Sequence, residues 1–207
     1  MSSQSKIVHN FIDGEFVALD ESKATVPVTN PATGAVIAEV RVSDAADVAA
    51  AIATAKAAQT KWGAQTVKTR VQALFKLKAI MEAGMDELVE IVVSEHGKCR
   101  PEAKASVMKG IETLEWACSL PQLLPGLFLE VSRGISCRET RDPLGVVVSI
   151  VPFNFPAMVP FWTVPIALGC GNAVILKPSE KVPLTMQRVA AMIKEAGIPA
   201  GVFQTVN

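Results

Sequence analysis

The sequence lacks an excess of charge of either sign: its 207 residues carry 20 basic and 20 acidic side chains. A nucleic-acid or anionic-lipid surface needs a net positive field, so neither partner is indicated. Clustered metal ligands are missing too. Cys99, Cys118, Cys137 and Cys170 are widely spaced with no Cys-x-x-Cys pair, and the two histidines, His9 and His96, are isolated. Zinc needs grouped ligands, so no metal site is read here, and scattered thiols suit a reducing compartment. No long apolar run is present: the stretch 146–151 is far too short to span a bilayer. Residues 1–11 contain neither the apolar segment of a secretory signal nor the arginine-rich pattern of a mitochondrial presequence. Internal repeats and low-complexity tracts are absent. What remains is ordinary globular composition, half hydrophobic and 19% charged, long enough to bury a core.

The rhythm of the chain changes twice. Residues 11–42 read as short strands and turns. Asp13-Gly14 separates Phe11-Ile12 from Glu15-Phe16-Val17, which is a hairpin signal, and Asn30-Pro31-Ala32-Thr33-Gly34 is turn chemistry before an apolar run. Four helices are predicted next. Ser43 is the expected N-cap of the first, which runs to about Trp62 with Val48, Ile52, Ala55 and Trp62 as its apolar stripe. The others cover about 67–83, 85–95 (ended by Gly97) and the stretch after Pro101 that carries Val107, Ile111, Leu114 and Cys118. Residues 127–141 suggest a two-stranded excursion. From Pro143 the pattern becomes strand–helix–strand, with strands at 145–151, 173–176 and 202–206 and helices at 158–168 and 184–196. Unbroken apolar strands alternating with helices imply a parallel sheet covered on both faces. Three parallel strands would leave an edge unpaired and a flank uncovered.

In open parallel sheets, ligands bind beyond the carboxyl ends of the strands. Two proline-braced loops occupy that position: 151–156, with Pro152 and Pro156, and 177–181, with Pro178. Asn154 offers an amide that can stabilise a developing oxyanion without being consumed, or that merely satisfies backbone groups in a tight turn. Lys177 and Glu180 fit a nucleoside ribose, the carboxylate accepting both hydroxyls and repelling a 2′-phosphate, which favours NAD over NADP; a solvated ion pair is the alternative. No Gly-x-Gly-x-x-Gly follows a strand. Gly169-Cys170-Gly171 precedes one, and suits a turn better than a phosphate cradle.

These segments resemble the aldehyde dehydrogenases. Phe11-Ile12-Asp13-Gly14-Glu15-Phe16, Asn30-Pro31-Ala32-Thr33-Gly34, Pro143-Leu144-Gly145-Val146, the 152–156 loop and Gly171-Asn172-Ala173-Val174-Ile175-Leu176-Lys177-Pro178-Ser179-Glu180 stand in family order. Phe153 before Asn154, followed by Phe155-Pro156-Ala157-Met158-Val159-Pro160, is similar to the CoA-acylating methylmalonate-semialdehyde branch, as are Gly110-Ile111-Glu112 and Val131-Ser132-Arg133-Gly134-Ile135. The resemblance implies an α/β fold: the N-terminal half of an aldehyde dehydrogenase-like fold, with a helical N-terminal segment, a β-hairpin excursion and a partial parallel Rossmann-like sheet. By it, residues 1–123 are strands and helices of the cofactor-binding domain, 124–142 an oligomerisation hairpin, and 143–207 the first βαβαβ part of the NAD-binding sheet, with the catalytic domain absent.

The resemblance also assigns roles. Asn154 matches the side-chain half of the oxyanion hole. Val151 and Phe153 match contacts to the nicotinamide half of NAD, and Lys177, Glu180 and Lys181 match the adenosine-ribose and adjoining contacts. The implied reaction is attack of a cysteine thiolate on a small (methyl)malonate-semialdehyde-like aldehyde, hydride transfer to NAD, and passage of the acyl group to CoA. Two departures qualify it. The family's nucleophilic cysteine and general-base glutamate match no residue here; buried structural thiols are the reading for Cys118 and Cys170. Lys109 stands where the methylmalonate-semialdehyde branch has an arginine for the substrate carboxylate, keeping the charge without the bidentate fork; a surface pair with Glu112 is the alternative. The chain is therefore expected to be inactive by itself, as part of a homo-oligomeric enzyme. The alternative is a non-enzymatic subunit that associates with full-length homologues through 127–141. Relatives of this type imply the cytoplasm, or else the mitochondrial matrix.

Overall fold

The computed structural model describes residues 6–18 and 20–207. The leader reading rests in part on residues 1–5, which lie outside the described residues. Among the described residues no helix is long and apolar enough to cross a membrane.

The chain first builds strands β1 (Lys6–Val8), β2 (Asn10–Ile12), β3 (Glu15–Val17), β4 (Thr25–Thr29) and β5 (Val36–Arg41). β2 and β3 form the expected hairpin, in the register Phe11↔Phe16. Asp13 and Gly14 both take positive φ, +51° and +78°, the backbone a two-residue type I′ turn requires. β1, β5 and β4 form a small sheet in that order, its core Val8, Val28, Ala38 and Val40.

Helices α1 (Ala45–Gly63), α2 (Val67–Ala83), α3 (Met85–His96), α4 (Arg100–Cys118) and the short α5 (Leu120–Leu123) follow. The first helix starts one residue later than Ser43 predicts. Asp44 is the N-cap: its carboxylate accepts from Ala46 N–H at 2.8 Å and Asp47 N–H at 3.1 Å, while Asp47 accepts from Asp44 N–H at 2.9 Å. Ser43 is committed elsewhere, accepting from the Asn10 amide at 2.8 Å and donating its N–H to the Asn207 carbonyl at 2.8 Å. The stripe of α1 also differs from expectation. Ala51, Ala55 and Trp62 are buried, but Val48 and Ile52 are about two-fifths exposed. Small side chains let α1 lie close on the sheet, and the bulkier pair turns outward.

β6 (Leu127–Ser132) and β7 (Ile135–Glu139) form an isolated antiparallel ribbon, exposed along its whole length. The last segment contributes β8 (Val146–Ile150), α6 (Met158–Phe161), α7 (Val164–Gly169), β9 (Ala173–Lys177), α8 (Leu184–Glu195) and β10 (Phe203–Thr205). The single helix expected over 158–168 is two short ones, because Pro165 has no N–H for the Phe161 carbonyl and the chain turns through Trp162 and Thr163.

The large sheet has the order β3-β2-β10-β9-β8, with β10, β9 and β8 parallel. The unpaired edge expected of three parallel strands is covered on the β10 side, where β2 pairs antiparallel with β10. Ala173, Ile175 and Val206 face α1, and Val174, Leu176 and Phe203 face the main core with Leu74, Met186 and Val189. The flank beyond α1 is open, as expected, with Val148 56% and Ile150 77% exposed on β8.

Candidate functional site

β8 and β9 run side by side in parallel register, Ile150 beside Lys177, so the chain leaves both strands at the same end of the sheet. There the Val151 N–H donates to the Lys177 carbonyl at 3.2 Å, tying the two loops at their roots. Asn154 and Glu180 are both exposed on these loops; neither packs inside the sheet. This is the arrangement a carboxyl-end ligand site requires.

Among the described residues nothing hydrogen-bonds the side-chain amide of Asn154; only its main-chain carbonyl is engaged, by Lys98 at 2.8 Å. The amide is thus not consumed in stabilising its own turn, and both of its N–H donors are available to a ligand. Phe153 is half-exposed, with the Lys181 ammonium 4.8 Å from its ring centroid, an approach that draws the two corners together. Val151 is buried in the main core, leaving only its main-chain edge for a ligand.

Lys177 and Glu180 form an ion pair at 3.0 Å with both side chains partly exposed. So exposed a pair contributes little to stability and exchanges partners readily. The Glu180 carboxyl is held below its usual range by its own backbone N–H and then by Lys177, so it is a carboxylate at neutral pH and a ready acceptor for a vicinal diol. Phe153, Glu180 and Lys181 also line a cleft of about 570 Å³ together with Pro27, Pro31 and His96.

Lys109 sits apart from these residues. It pairs with Glu112 at 2.7 Å on the exposed side of α4, the surface arrangement that was the alternative reading. The same lysine lines a cleft of about 330 Å³ with Lys98, Ser106, Phe155 and Met158, on the other side of the Asn154 corner. Ser106 is buried, and its hydroxyl has no partner among the described residues.

Gly169 ends α7, and Cys170-Gly171 turn the chain into β9. Gly171 has φ +95°, and a Cβ there would lie 2.8 Å from Pro143 Cγ and 3.0 Å from Arg70 Cζ, so the bend is filled by protein. Asn172 is buried beside it and ties β8 to this turn, accepting from Gly145 N–H at 3.0 Å and donating to the Ala167 carbonyl at 3.2 Å. Among the described residues no three His, Cys, Asp or Glu side chains group as metal ligands. Sequence reasoning passed over Lys98, which reaches the Asn154 corner from 56 positions away and belongs to no local pattern.

Comparison with known proteins identifies the family. A model of the aldehyde dehydrogenase family matches residues 17–207. Malonate-semialdehyde dehydrogenase 2 of Geobacillus thermodenitrificans is 42% identical over 206 residues, an alignment covering 99% of this chain and 42% of that protein. Among solved structures, methylmalonate-semialdehyde dehydrogenase from Oceanimonas doudoroffii superposes with a TM-score of 0.95 at 36% identity, covering 99% of this chain and 41% of that one. Aldehyde dehydrogenase C of Pseudomonas syringae, solved as a mutant with NAD+ and octanal, gives a TM-score of 0.87 at 34% identity, covering 96% of this chain and 40% of that one. The chain spans about two-fifths of the length of the curated relatives it matches.

Proposed function

The chain belongs to the aldehyde dehydrogenase family, and from that premise we propose that it contributes the oxyanion amide and the adenosine side of the cofactor site to an NAD-dependent enzyme oxidising a malonate-semialdehyde-like aldehyde. One observation carries this reading: at the carboxyl ends of adjacent parallel strands, a free amide on Asn154 and an ionised carboxylate on Glu180 stand on neighbouring loops.

NAD supplies the hydride acceptor when bound. The residues of this chain do the rest of the work assigned to it. Glu180 accepts the hydroxyls of the adenosine ribose, and its charge disfavours a 2′-phosphate there. Lys177 and Lys181 donate to ribose or phosphate oxygens, while Phe153 and the main-chain edge at Val151 border the nicotinamide half. Asn154 donates to the oxygen of the reacting carbonyl as negative charge develops on it; removal of one such donor costs about 10²–10³ in rate in a well-studied protease. Lys109 reads the far carboxylate of the substrate by point charge, without the two-pronged geometry of arginine. CoA is the acyl acceptor in this reading, on the resemblance of residues 153–160 to the CoA-acylating branch. The nucleophilic cysteine and general base are not assigned to any residue here, so the isolated chain is expected to turn over no aldehyde. Residues 143–207 serve as the first part of the NAD-binding sheet, after the strands and helices of 1–123.

A second reading, association without catalysis, has its own support. The β6–β7 ribbon exposes Leu127, Phe128, Leu129, Val131 and Ile135, each more than half accessible. A two-stranded ribbon so apolar is marginal in water by itself and gains from being covered. Within the proposed enzyme, 124–142 is the assembly hairpin, covered by another copy; in the alternative it is covered by a full-length homologue.

The cofactor assignment is tested by calorimetric titration with NAD up to millimolar concentration, using the chain and its Glu180→Ala variant. A saturable heat that Glu180→Ala weakens about tenfold or more, the scale of a charge-assisted hydrogen bond, is expected. Equal heats from both proteins overturn it.

A further inference from the structure

We propose that Lys98 is a positioning residue for the Asn154 corner: it clamps the main chain at Asn154 and the ring of Phe155, and so fixes the direction of the free Asn154 amide. The inference rests on the reading of that amide as an oxyanion donor and extends it to the group that aims it.

Three contacts converge on one ammonium. Lys98 Nζ donates to the Asn154 carbonyl oxygen at 2.8 Å, lies 4.5 Å from the centroid of the Phe155 ring, and stands 3.3 Å from Nε2 of His96. An ammonium has donors only, so in its contact with Lys98 the His96 Nε2 can serve only as acceptor. Burial, and then the charge of Lys98, hold the His96 imidazole below its usual pKa, against the opposing pull of main-chain hydrogen bonding at Asn154, so His96 shares the same corner. The arrangement uses donors and charge together: a hydrogen bond fixes the carbonyl, and a cation–π approach fixes the next side chain.

The corner needs such a clamp. No described residue holds the Asn154 side chain. Its neighbours are gripped instead, Phe153 by Lys181 at 4.8 Å and Phe155 by Lys98 at 4.5 Å, so two aromatic rings are capped by two lysines with the amide between them. With Asn154 tied only through its carbonyl, the orientation of that peptide decides where the amide points. Displacements of about 1 Å at a reacting centre cost on the order of a hundredfold in rate.

The placement of Lys98 is built in locally. α3 ends at Gly97, whose φ of +80° reverses the chain toward the corner. A Cβ at Gly97 would stand 2.7 Å from Pro31 Cγ, so the turn is pressed against the loop between β4 and β5.

The test compares the chain with Lys98→Met, which keeps the stem and loses charge and donors, and with Lys98→Arg, which restores both. The readout is the ¹⁵N order parameter of the Asn154 and Phe155 amides, measured without dinucleotide. In the parent and in Lys98→Arg, values near about 0.85 are expected; in Lys98→Met they fall below about 0.6, while β9 amides and the melting temperature hold. A corner that stays rigid in Lys98→Met overturns the proposal, as does a Lys98→Arg corner as loose as that of Lys98→Met. Should Lys98→Met not fold, Phe155→Leu, which removes only the ring contact, must loosen the corner relative to the parent, and an unchanged order parameter there counts against the clamp. Because no cofactor is present, a failed NAD titration leaves this result standing, and a rigid Lys98→Met corner leaves the cofactor reading standing.

Discussion

The buried carboxylate of Glu95 caps the first turn of α8 through Thr185, 90 positions further along the chain: it accepts from the Thr185 N–H at 3.0 Å and also from the Thr185 hydroxyl. The Leu184 N–H donates to its other oxygen at 2.7 Å. α8 has Pro183 at its N-cap and no side chain of its own to serve its first turn, so the missing cap comes from the end of α3. This contact fastens the helical layer to the loop that carries Glu180.

Glu95→Ala strands two main-chain donors, and stability should fall by about 2–5 kcal/mol, the range for removing a buried charged partner. Urea denaturation measures it; a loss below about 1 kcal/mol would mean the cap is dispensable.

Glu95 also gives stability a pH dependence of definite sign. Burial pushes its pKa from 4.5 up to about 7. Between those values the folded chain binds a proton that the unfolded chain has released. The stability this adds is therefore complete below the lower value and lost as pH rises through the upper one. Glu95→Gln cannot titrate. The stability of the parent relative to Glu95→Gln should decline from about pH 4.5 to 7, and thermal melts across that window would show a constant difference if the carboxyl does not titrate there.

Gly97→Ala should destabilise the protein by about 1–2 kcal/mol or more, since the left-handed backbone penalises a Cβ and Pro31 leaves it no room. The same substitution should disturb Lys98, visible as shifts in the Phe155 ring resonances. A neutral effect on stability would argue against the tight turn.

The four thiols should separate by burial, with Cys170 half-buried rather than buried as its sequence position suggests. Cys99 and Cys137 are exposed. Cys118 is buried and its thiol pushed up to about 11, and burial raises Cys170 as well. A disulfide reagent at pH 8 should titrate Cys99 and Cys137 rapidly, the half-buried Cys170 more slowly, and Cys118 only on unfolding. Rapid reaction of Cys118 in the folded chain would contradict its packing.

For the ribbon, Leu129→Lys places a charge on an apolar strand more than half exposed. Sedimentation at matched concentration should show a shift toward lower mass. An identical mass distribution for parent and variant would remove 124–142 as the assembly surface.

Much of this architecture is legible in the residues because the signals are local. Asp13-Gly14 specifies its hairpin turn, Gly97 its helix end, and Ala173, Val174, Ile175 and Leu176 a strand buried on both faces. Failures occur where a distant partner decides. Ser43 looks like a cap by composition, but Asn10 and Asn207 claim it and Asp44 caps instead. Val48 and Ile52 fit an apolar stripe, yet the close approach of α1 to the sheet selects Ala51 and Ala55. The candidate site divides in the same way. Asn154 and Glu180 stand in recognisable loops, whereas Lys98 and Glu95 act across 56 and about 90 positions and leave no trace in spacing.

The pairing of β2 with β10 has a consequence for how the chain is made. The Phe11 N–H bonds to the Thr205 hydroxyl at 3.1 Å across a separation of 194 residues, and Asn207 donates to Asn10 at 2.9 Å. During synthesis the β2–β3 hairpin emerges long before β10 and has no sheet to join until that strand leaves the ribosome. Its docking is therefore a late, high-contact-order step. In the interval the hairpin and the β10 edge are open to other chains, which makes the nascent polypeptide most vulnerable to mispairing just before completion of this sheet.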